Sequence, residues 1–405
     1  MKRVFLAIGL VLMLQGIVWA TYTPAQVRTA YGFNGISFNG TQATGAGETI
    51  AIVDAYNNPT IESDLATFDA KYNLAAPPSF VVENQNGGST LPATTNSGWS
   101  LESDLDVEWA HAIAPQANIL LVETNDNSYA DLDAGANIAA RIPGVCTVSM
   151  SWGSVEYYGE TSNDFNFQTP TNHQGISFVA CTGDSGSPWW PSVAPTVLAV
   201  GGTALQIKSN GTYVSETAWN DSYGSGGGGV STVETEPNYQ YVAQSSGFRT
   251  VPDVSYDAAG GTPLAAIVGG ESYYVYGTSC GAPQWAALIA IADQGRALDG
   301  LGSLDSSNLT SGLLPMLYDL YGTSYYSQAF NDVTAGVTST GEAAGLGYDL
   351  ATGLGTPKAG FLIPYLAGDI SIPEPQNIWF LIPLAGIPAV GARRLRRCGG
   401  HLIAL

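Results

Sequence analysis

The sequence predicts an α/β fold, a parallel sheet with helices on both faces, built as one large domain. Three observations predict it. Short apolar runs recur as "ETIAIVDA", "NILLVET", "CTVSMSW", "ISFVACTG" and "TVLAVGGT", separated by helical or loop segments of crossover length. Apolar strands that alternate with helices belong to parallel sheets covered on both sides. The chain has 405 residues, 45% of them apolar, enough for a sizeable core. Several of the runs end in Gly, Asp or Ser clusters, and open α/β sheets place their ligands at such strand ends. No linker, repeat or charge run interrupts the region from 21 to 368, so it reads as one domain.

The two ends read differently. Residues 1–20, "MKRVFLAIGLVLMLQGIVWA", carry Lys2 and Arg3, an apolar stretch, and small residues Val18 and Ala20 before a plausible cut, which predicts a secretory signal peptide. Residues 369–405 hold a Pro-Glu-Pro turn and fifteen uncharged residues from Ile378 to Ala392. Four arginines follow within five positions. The apolar run is short of the ~20 residues of a spanning helix, and Pro383 and Pro388 interrupt it. This tail resembles the PEP-CTERM sorting signal. The resemblance implies an exosortase-like processing partner, transient membrane association and a bacterial-surface destination.

Composition narrows the function classes. Charged residues make up 12% of the chain and the net charge is −21, which argues against nucleic acid, because phosphate contacts need Lys and Arg. The same balance suits an acidic milieu, where protonated carboxyls relieve self-repulsion. Four cysteines do not make a disulfide framework for a secreted chain of this length. Cys146 and Cys181 lie in two strand-like runs; one bridge between them is open, and buried thiols are the plainer reading.

In chain order, the next informative element is "GWSLESDLDVEWAHAIAP", a helix pattern with four acids. Glu102 and Asp106 are i,i+4 neighbours within the arc of Trp109, Ala110 and Ile113. Asp104 and Glu108 form a second pair turned to the opposite side, which predicts a solvated face. Two inward carboxyls need compensation, and sharing a proton supplies it, since one of two close carboxyls has its pKa raised. "FVACTGDSGSPWWPS" then sets Asp184 after a strand among glycines. It is either a turn-former or, if protonated, a donor to a developing oxyanion.

"YGTSCGAPQWAALIAIADQ" places Ser279 before a buried helix, so its hydroxyl and N–H sit at the positive end of the helix dipole. That position suits a helix cap or a nucleophile. A histidine base is poorly supplied: His401 lies in the tail, His173 in a polar loop, and His111 near the end of the acidic helix. Asp54 in "IAIVDAY" could serve a histidine-dependent triad as its acid, but no His opens the expected helix. The inward Glu102–Asp106 pair is the alternative base.

These residues together carry a resemblance. Glu102-Ser-Asp-Leu-Asp106, Ser151-Trp152-Gly153, Gly-Asp-Ser-Gly at 183–186 and Gly-Thr-Ser at 277–279 stand in the order of the sedolisin, or serine-carboxyl, peptidases. So do "VLAVGGT" (197–203), "GGGVS" (227–231) and "PDVSYDA" (252–258). The resemblance implies a subtilisin-like fold with a parallel sheet of about seven strands and an endopeptidase that acts in acid on protein or peptide substrates. It makes Ser279 the nucleophile, Glu102 its base, Asp106 the residue that orients Glu102, and Asp184 the oxyanion contact. Ser151, Trp152 and Gly153 become the edge along which a peptide adds as a strand.

"AFNDVTAG" and "GLGYDLATGLGTP" offer the carboxylates of Asp332 and Asp349 and the carbonyls of Val333, Gly345 and Gly347. All are hard oxygen donors suited to Ca²⁺, and spacing alone equally allows two Gly/Asp turns. The resemblance implies one structural calcium there. The sequence departs from the family's pattern in two places. "TYTPAQVRTAYGFNG" resembles the start of the mature enzyme and follows the signal directly, so no propeptide is expected. Cys280 and Gly281 stand where the family carries small residues such as Ala or Ser, and the glycine predicts added flexibility beside the nucleophile. Besides the peptidase, a catalytically silent surface protein on the same scaffold and a histidine-dependent subtilase remain as readings.

Overall fold

The structure, a computed structural model, describes Phe5–Leu6 and residues 21–371. The signal peptide, apart from those two residues, and the tail from 372 onward lie outside the described residues, as does Cys398.

Seven strands run parallel: β1 (Thr49–Ala55), β2 (Phe80–Asn84), β3 (Asn118–Thr124), β4 (Val145–Met150), β6 (Ser177–Cys181), β8 (Val197–Ile207) and β10 (Val254–Asp257). Their order is β8-β6-β4-β1-β3-β2, with β10 beside β8 in parallel and the antiparallel β9 (Tyr213–Ala218) on the long C-terminal half of β8. The inner strands β1, β3, β4 and β6 are buried almost throughout because helices cover both faces, which is why they read as apolar runs without alternation. The edge strand β2 is only half-buried. The α/β, subtilisin-like prediction holds, with one antiparallel strand added at the sheet's edge.

Four helices position the chemistry: α1 (Ile61–Tyr72), α2 (Ser97–Ile113), α3 (Tyr129–Ala139) and α4 (Ala282–Leu298). Helix α2 starts where Asn96 Oδ1 accepts the N–H groups of Gly98 and Trp99 at 3.0 and 3.2 Å, a side-chain cap for two otherwise unpaired donors. It packs on α4, which is buried over nearly all of its length and lies against β4 and β6. The last helix, Ala359–Ala367, is closed by Gly368 in the left-handed conformation.

The acidic helix corrects the sequence reading. Asp104 and Glu108 are as buried as Glu102 and Asp106. Helix α1 and the hairpin β11–β12 (Leu264–Val268, Glu271–Val275) cover the face that periodicity assigned to water. There the Glu108 carboxylate accepts the Ile267 N–H at 3.0 Å, and Asp104 lies near the Asn58 side chain. Burial pushes the Asp104 carboxyl up to about 8, and a carboxyl that keeps its proton is a polar neutral group that a packed helix face tolerates.

A three-stranded unit stands beside the main sheet. Its central strand is β5 (Trp152–Val155), paired on one side with β7 (Trp189–Trp190) and on the other with Phe5–Leu6, all antiparallel. Phe5 lies opposite Gly153 and Leu6 opposite Trp152, so this strand's outer edge accepts an extended segment.

Candidate active site

The carboxyl ends of the parallel strands converge on one place. Asp54 ends β1 next to Glu123 of β3, Ser151 follows β4, and Gly183–Asp184 follow β6. Opposite them stands a 3₁₀ turn, Thr278–Cys280, that feeds into α4, with α2 alongside. Ser279 sits in that turn and is fully buried. Gly281 closes it, and a Cβ there would stand 2.7 Å from Val200 Cγ1 and 2.9 Å from Tyr256 Cβ. The glycine is therefore a requirement of close approach between the turn and strands β8 and β10, not a source of slack beside the serine. Cys280 is a buried free thiol, as are Cys146 and Cys181, so no bridge joins the latter two.

The Glu102 carboxyl faces the Ser279 and Ser151 hydroxyls, both of which favour its ionised form, and Asp106 faces Ser151 from the next turn of α2. None of the four carboxyl oxygens has a hydrogen-bond partner among the described residues. Ser151 Oγ also reaches the Ser279 carbonyl at 3.5 Å. The Ser151 side chain thus belongs to the carboxyl network, underneath the edge along which the sequence reading placed it. Trp152 is likewise buried, its indole donating to the Val53 carbonyl at 2.9 Å, so only its backbone and Gly153 border that edge.

Burial pushes Glu102 well above the usual carboxylate range, with Asp54 adding repulsion and the Ser279 and Ser151 hydroxyls pulling back toward the ionised form. Asp106 is pushed up by the same burial and by Asp54 and Glu102. Asp54, which the sequence suggested only for a histidine triad, joins them instead. It is raised to about 7 by burial, offset by the nearby Ser103 hydroxyl and reinforced by Glu123. Three carboxyls in so small a volume hold protons between them, because full ionisation would leave three unscreened charges in a low dielectric. Of the three, Glu102 is the one whose ionised form the Ser279 hydroxyl favours.

Asp184 stands across from Glu102. Its Oδ1 accepts the Thr278 N–H at 2.8 Å and the Thr278 hydroxyl at 2.9 Å. The residue is partly exposed, but Oδ2 is shielded from solvent and has no hydrogen-bond partner among the described residues. Burial raises the carboxyl to about 7 against the pull of both Thr278 donors. Gly183 has φ +92°, and a side chain there would collide with the Trp189 ring, which packs on it.

The histidines stand apart. His111 lies within α2, its Nε2 3.2 Å from Asp69 and 2.9 Å from the Ala75 carbonyl, and His173 Nε2 meets the Ile142 carbonyl at 3.2 Å. His401 lies outside the described residues. Among the described residues no histidine reaches Ser279, which removes the ground for a histidine-dependent subtilase.

Asp332 and Asp349 come together away from the site. Asp332 accepts the Gly347 N–H at 3.0 Å, while Asp349 accepts those of Gly345, Ala351 and Thr352 at 2.8–2.9 Å. The Tyr326 hydroxyl bonds Asp332 at 3.3 Å, and the charges of Asp332 and Asp349 both raise it. No group of three or more His, Cys, Asp or Glu side chains gathers as a metal cluster among the described residues. A cation at this loop would therefore rest on two carboxylates and on carbonyls such as those of Val333, Gly345 and Gly347.

Comparison with known proteins agrees with this geometry. No family model matches the chain. It is 30% identical over 386 residues to kumamolisin of Bacillus sp. (strain MN-32), covering 87% of this chain and 65% of that protein. It is 27% identical over 355 residues to sedolisin of Pseudomonas sp. (strain 101), covering 80% and 58%. The chain thus spans under two thirds of the length of these curated relatives. The solved structure of Pseudomonas sedolisin, a serine-carboxyl proteinase complexed with two molecules of pseudo-iodotyrostatin, superposes with a TM-score of 0.73 at 26% identity. It covers 86% of this chain and 98% of that one.

Proposed function

From its homology with sedolisin-type peptidases, we propose that the chain is a serine-carboxyl endopeptidase that cleaves peptide bonds in acid. The observation that carries the reading is the buried Glu102 carboxyl facing the buried Ser279 hydroxyl in a site that no described histidine reaches. Ser279 Oγ attacks the scissile carbonyl carbon and its proton passes to Glu102. Asp106 and Ser151 orient Glu102, and the charge shared with Asp54 rests on the carboxyl that faces the Ser279 hydroxyl. Protonated Asp184, beside the Ser279 N–H, donates to the oxyanion. Collapse of the intermediate returns the proton from Glu102 to the leaving amine, and water then repeats the sequence on the acyl-enzyme. The peptide lies along the outer edge of β5, a placement supported by the antiparallel pairing of Phe5–Leu6 on that edge.

Asp184 must carry its proton and Glu102 must be ionised to accept one. Activity is therefore lost as pH rises through about 7 and falls again toward the acid end, where burial and Asp54 favour the protonated Glu102. Cleavage of a denatured protein by the full chain from pH 3 to pH 9, with Ser279→Ala in parallel, tests the reading. Acid-confined activity that the substitution abolishes supports it. A folded chain silent at every pH favours the silent-scaffold alternative.

We assign a structural calcium to the loop pocket of Asp332, Val333, Gly345, Gly347 and Asp349, where two carboxylates face one loop and the remaining donors are carbonyls. The ion would tie the segment at 330–333 to that at 345–349 and take no part in the chemistry. Chelation is expected to lower the melting temperature by several degrees, since loss of a ligand bound only to the native state removes its linked stability. An unchanged melt, with no calcium by elemental analysis, removes the site.

The leader-like residues 1–20 and the sorting-like tail 369–405 support export and surface attachment, with an exosortase-like enzyme acting on the tail. Among the described residues no helix is long and apolar enough to cross a membrane.

A further inference from the structure

We propose that Thr278 is a positioning residue that decides which oxygen of Asp184 carries the proton, an inference that rests on the serine-carboxyl reading. A carboxylic acid has two oxygens and one proton, and only a proton on the oxygen facing the oxyanion helps the reaction. Thr278 places two donors on the same oxygen, its N–H at 2.8 Å and its hydroxyl at 2.9 Å from Oδ1. The hydroxyl's own direction is set by a third bond: the Gly183 N–H donates to Thr278 Oγ1 at 3.0 Å. One lone pair is thereby occupied and the single hydroxyl hydrogen goes to Asp184.

A proton on Oδ1 would face two donors and make both bonds repulsive. A proton on Oδ2, which has no partner among the described residues, disturbs nothing. The acid is therefore held as the Oδ2–H tautomer, aimed away from Thr278. Thr278 Cγ2 lies against Gly202 of β8, where no side chain intervenes, and the β-branch restricts its χ1.

The groups that face Asp184 leave this bond as the local control. Glu102 feels its charge from α2, Cys181 from β6, and Tyr276 and Cys280 from either side of the turn. The two thiols and the phenol are all raised and stay neutral in the working range. Only the carboxyl network of Glu102, Asp106 and Asp54 changes charge nearby.

The experiment compares kcat, KM and the alkaline midpoint of the full chain for wild type, Thr278→Val and Thr278→Ser between pH 3 and pH 9, with Ser279→Ala as the blank. Valine keeps the shape and the backbone donor but removes the hydroxyl. Its kcat is expected to fall about 10-fold or more at pH 4 with KM little changed. Its alkaline midpoint moves upward, because one donor to the ionised form is gone. Serine restores both values to within about 3-fold of wild type. A valine variant with wild-type kcat and midpoint overturns the proposal while the serine-carboxyl reading stands. So does a fall in kcat with an unmoved midpoint, which marks a structural loss. Absence of acid cleavage by the wild type, or its survival in Ser279→Ala, sinks the reading and the proposal together.

Should valine fail to fold, Asp184→Asn gives the second arm. Its amide oxygen is held by the two Thr278 donors, so the NH₂ faces the oxyanion at every pH. The alkaline limb is then expected to disappear from the residual activity. A limb that persists near pH 7 counts against the proposal.

Discussion

Glu102→Gln lowers kcat at pH 4 by about 10⁴-fold while KM stays within a few-fold of wild type, the expected result for a residue whose work is done in the transition state. Glutamine has nearly the same volume and presents a polar group to the Ser279 and Ser151 hydroxyls, so the turn and α2 keep their packing. What it cannot do is take the proton of Ser279 as the C–O bond forms. The substitution also removes one of the three carboxyls that crowd the site, so the folded protein should be no less stable for it. Steady-state kinetics on a variant with an unchanged melt checks both statements. Retention of more than a tenth of the wild-type rate would mean that another group accepts the proton.

The second large effect is on stability. Raising the pH from 5 to 8 in calcium-saturated buffer is expected to lower the melting temperature by roughly 10 °C, a sum of several linked titrations. Burial raises Asp104, Asp133, Glu160 and Glu234 to about 8, and Asp54 and Glu123 to about 7. Each of these groups binds its proton more tightly in the folded than in the unfolded chain. Its contribution is therefore complete below the unfolded values near 4 and lost as pH climbs through the folded ones. Glu160 and Glu234 illustrate the cause, because Glu156 and Asp164 press on both of them with like charge. The net charge of −21 adds self-repulsion at the upper end of the range. A melt that is flat, or that rises toward pH 8, would show that these groups are paired or solvated in solution.

Much of this was legible along the chain. Runs such as Glu48–Ala55 and Thr196–Thr203 are apolar because both faces of a parallel sheet are covered, and that composition survives reading one residue at a time. The inward Glu102–Asp106 pair was legible from helical spacing, since i and i+4 share a face whatever the helix packs on. Spacing failed for Asp104 and Glu108. Periodicity finds the first buried face of a helix, and here α1 and the β11–β12 hairpin cover the second with segments distant in sequence. It failed also for Gly281, which reads as loose and is in fact squeezed between Val200 and Tyr256.

By itself the sequence determined the fold class, the inward acid pair and the serine ahead of a buried helix, because each depends on local periodicity or on the composition of short runs. Only the tertiary structure decided which groups meet. It brought Asp54 from the end of β1 to the acid pair of α2, turned Ser151 beneath Glu102, and set both donors of Thr278 on one oxygen of Asp184. The physical reason is reach: hydrogen bonds and unscreened charge act over a few ångströms in space, and the residues that make this site lie up to 225 positions apart, from Asp54 to Ser279.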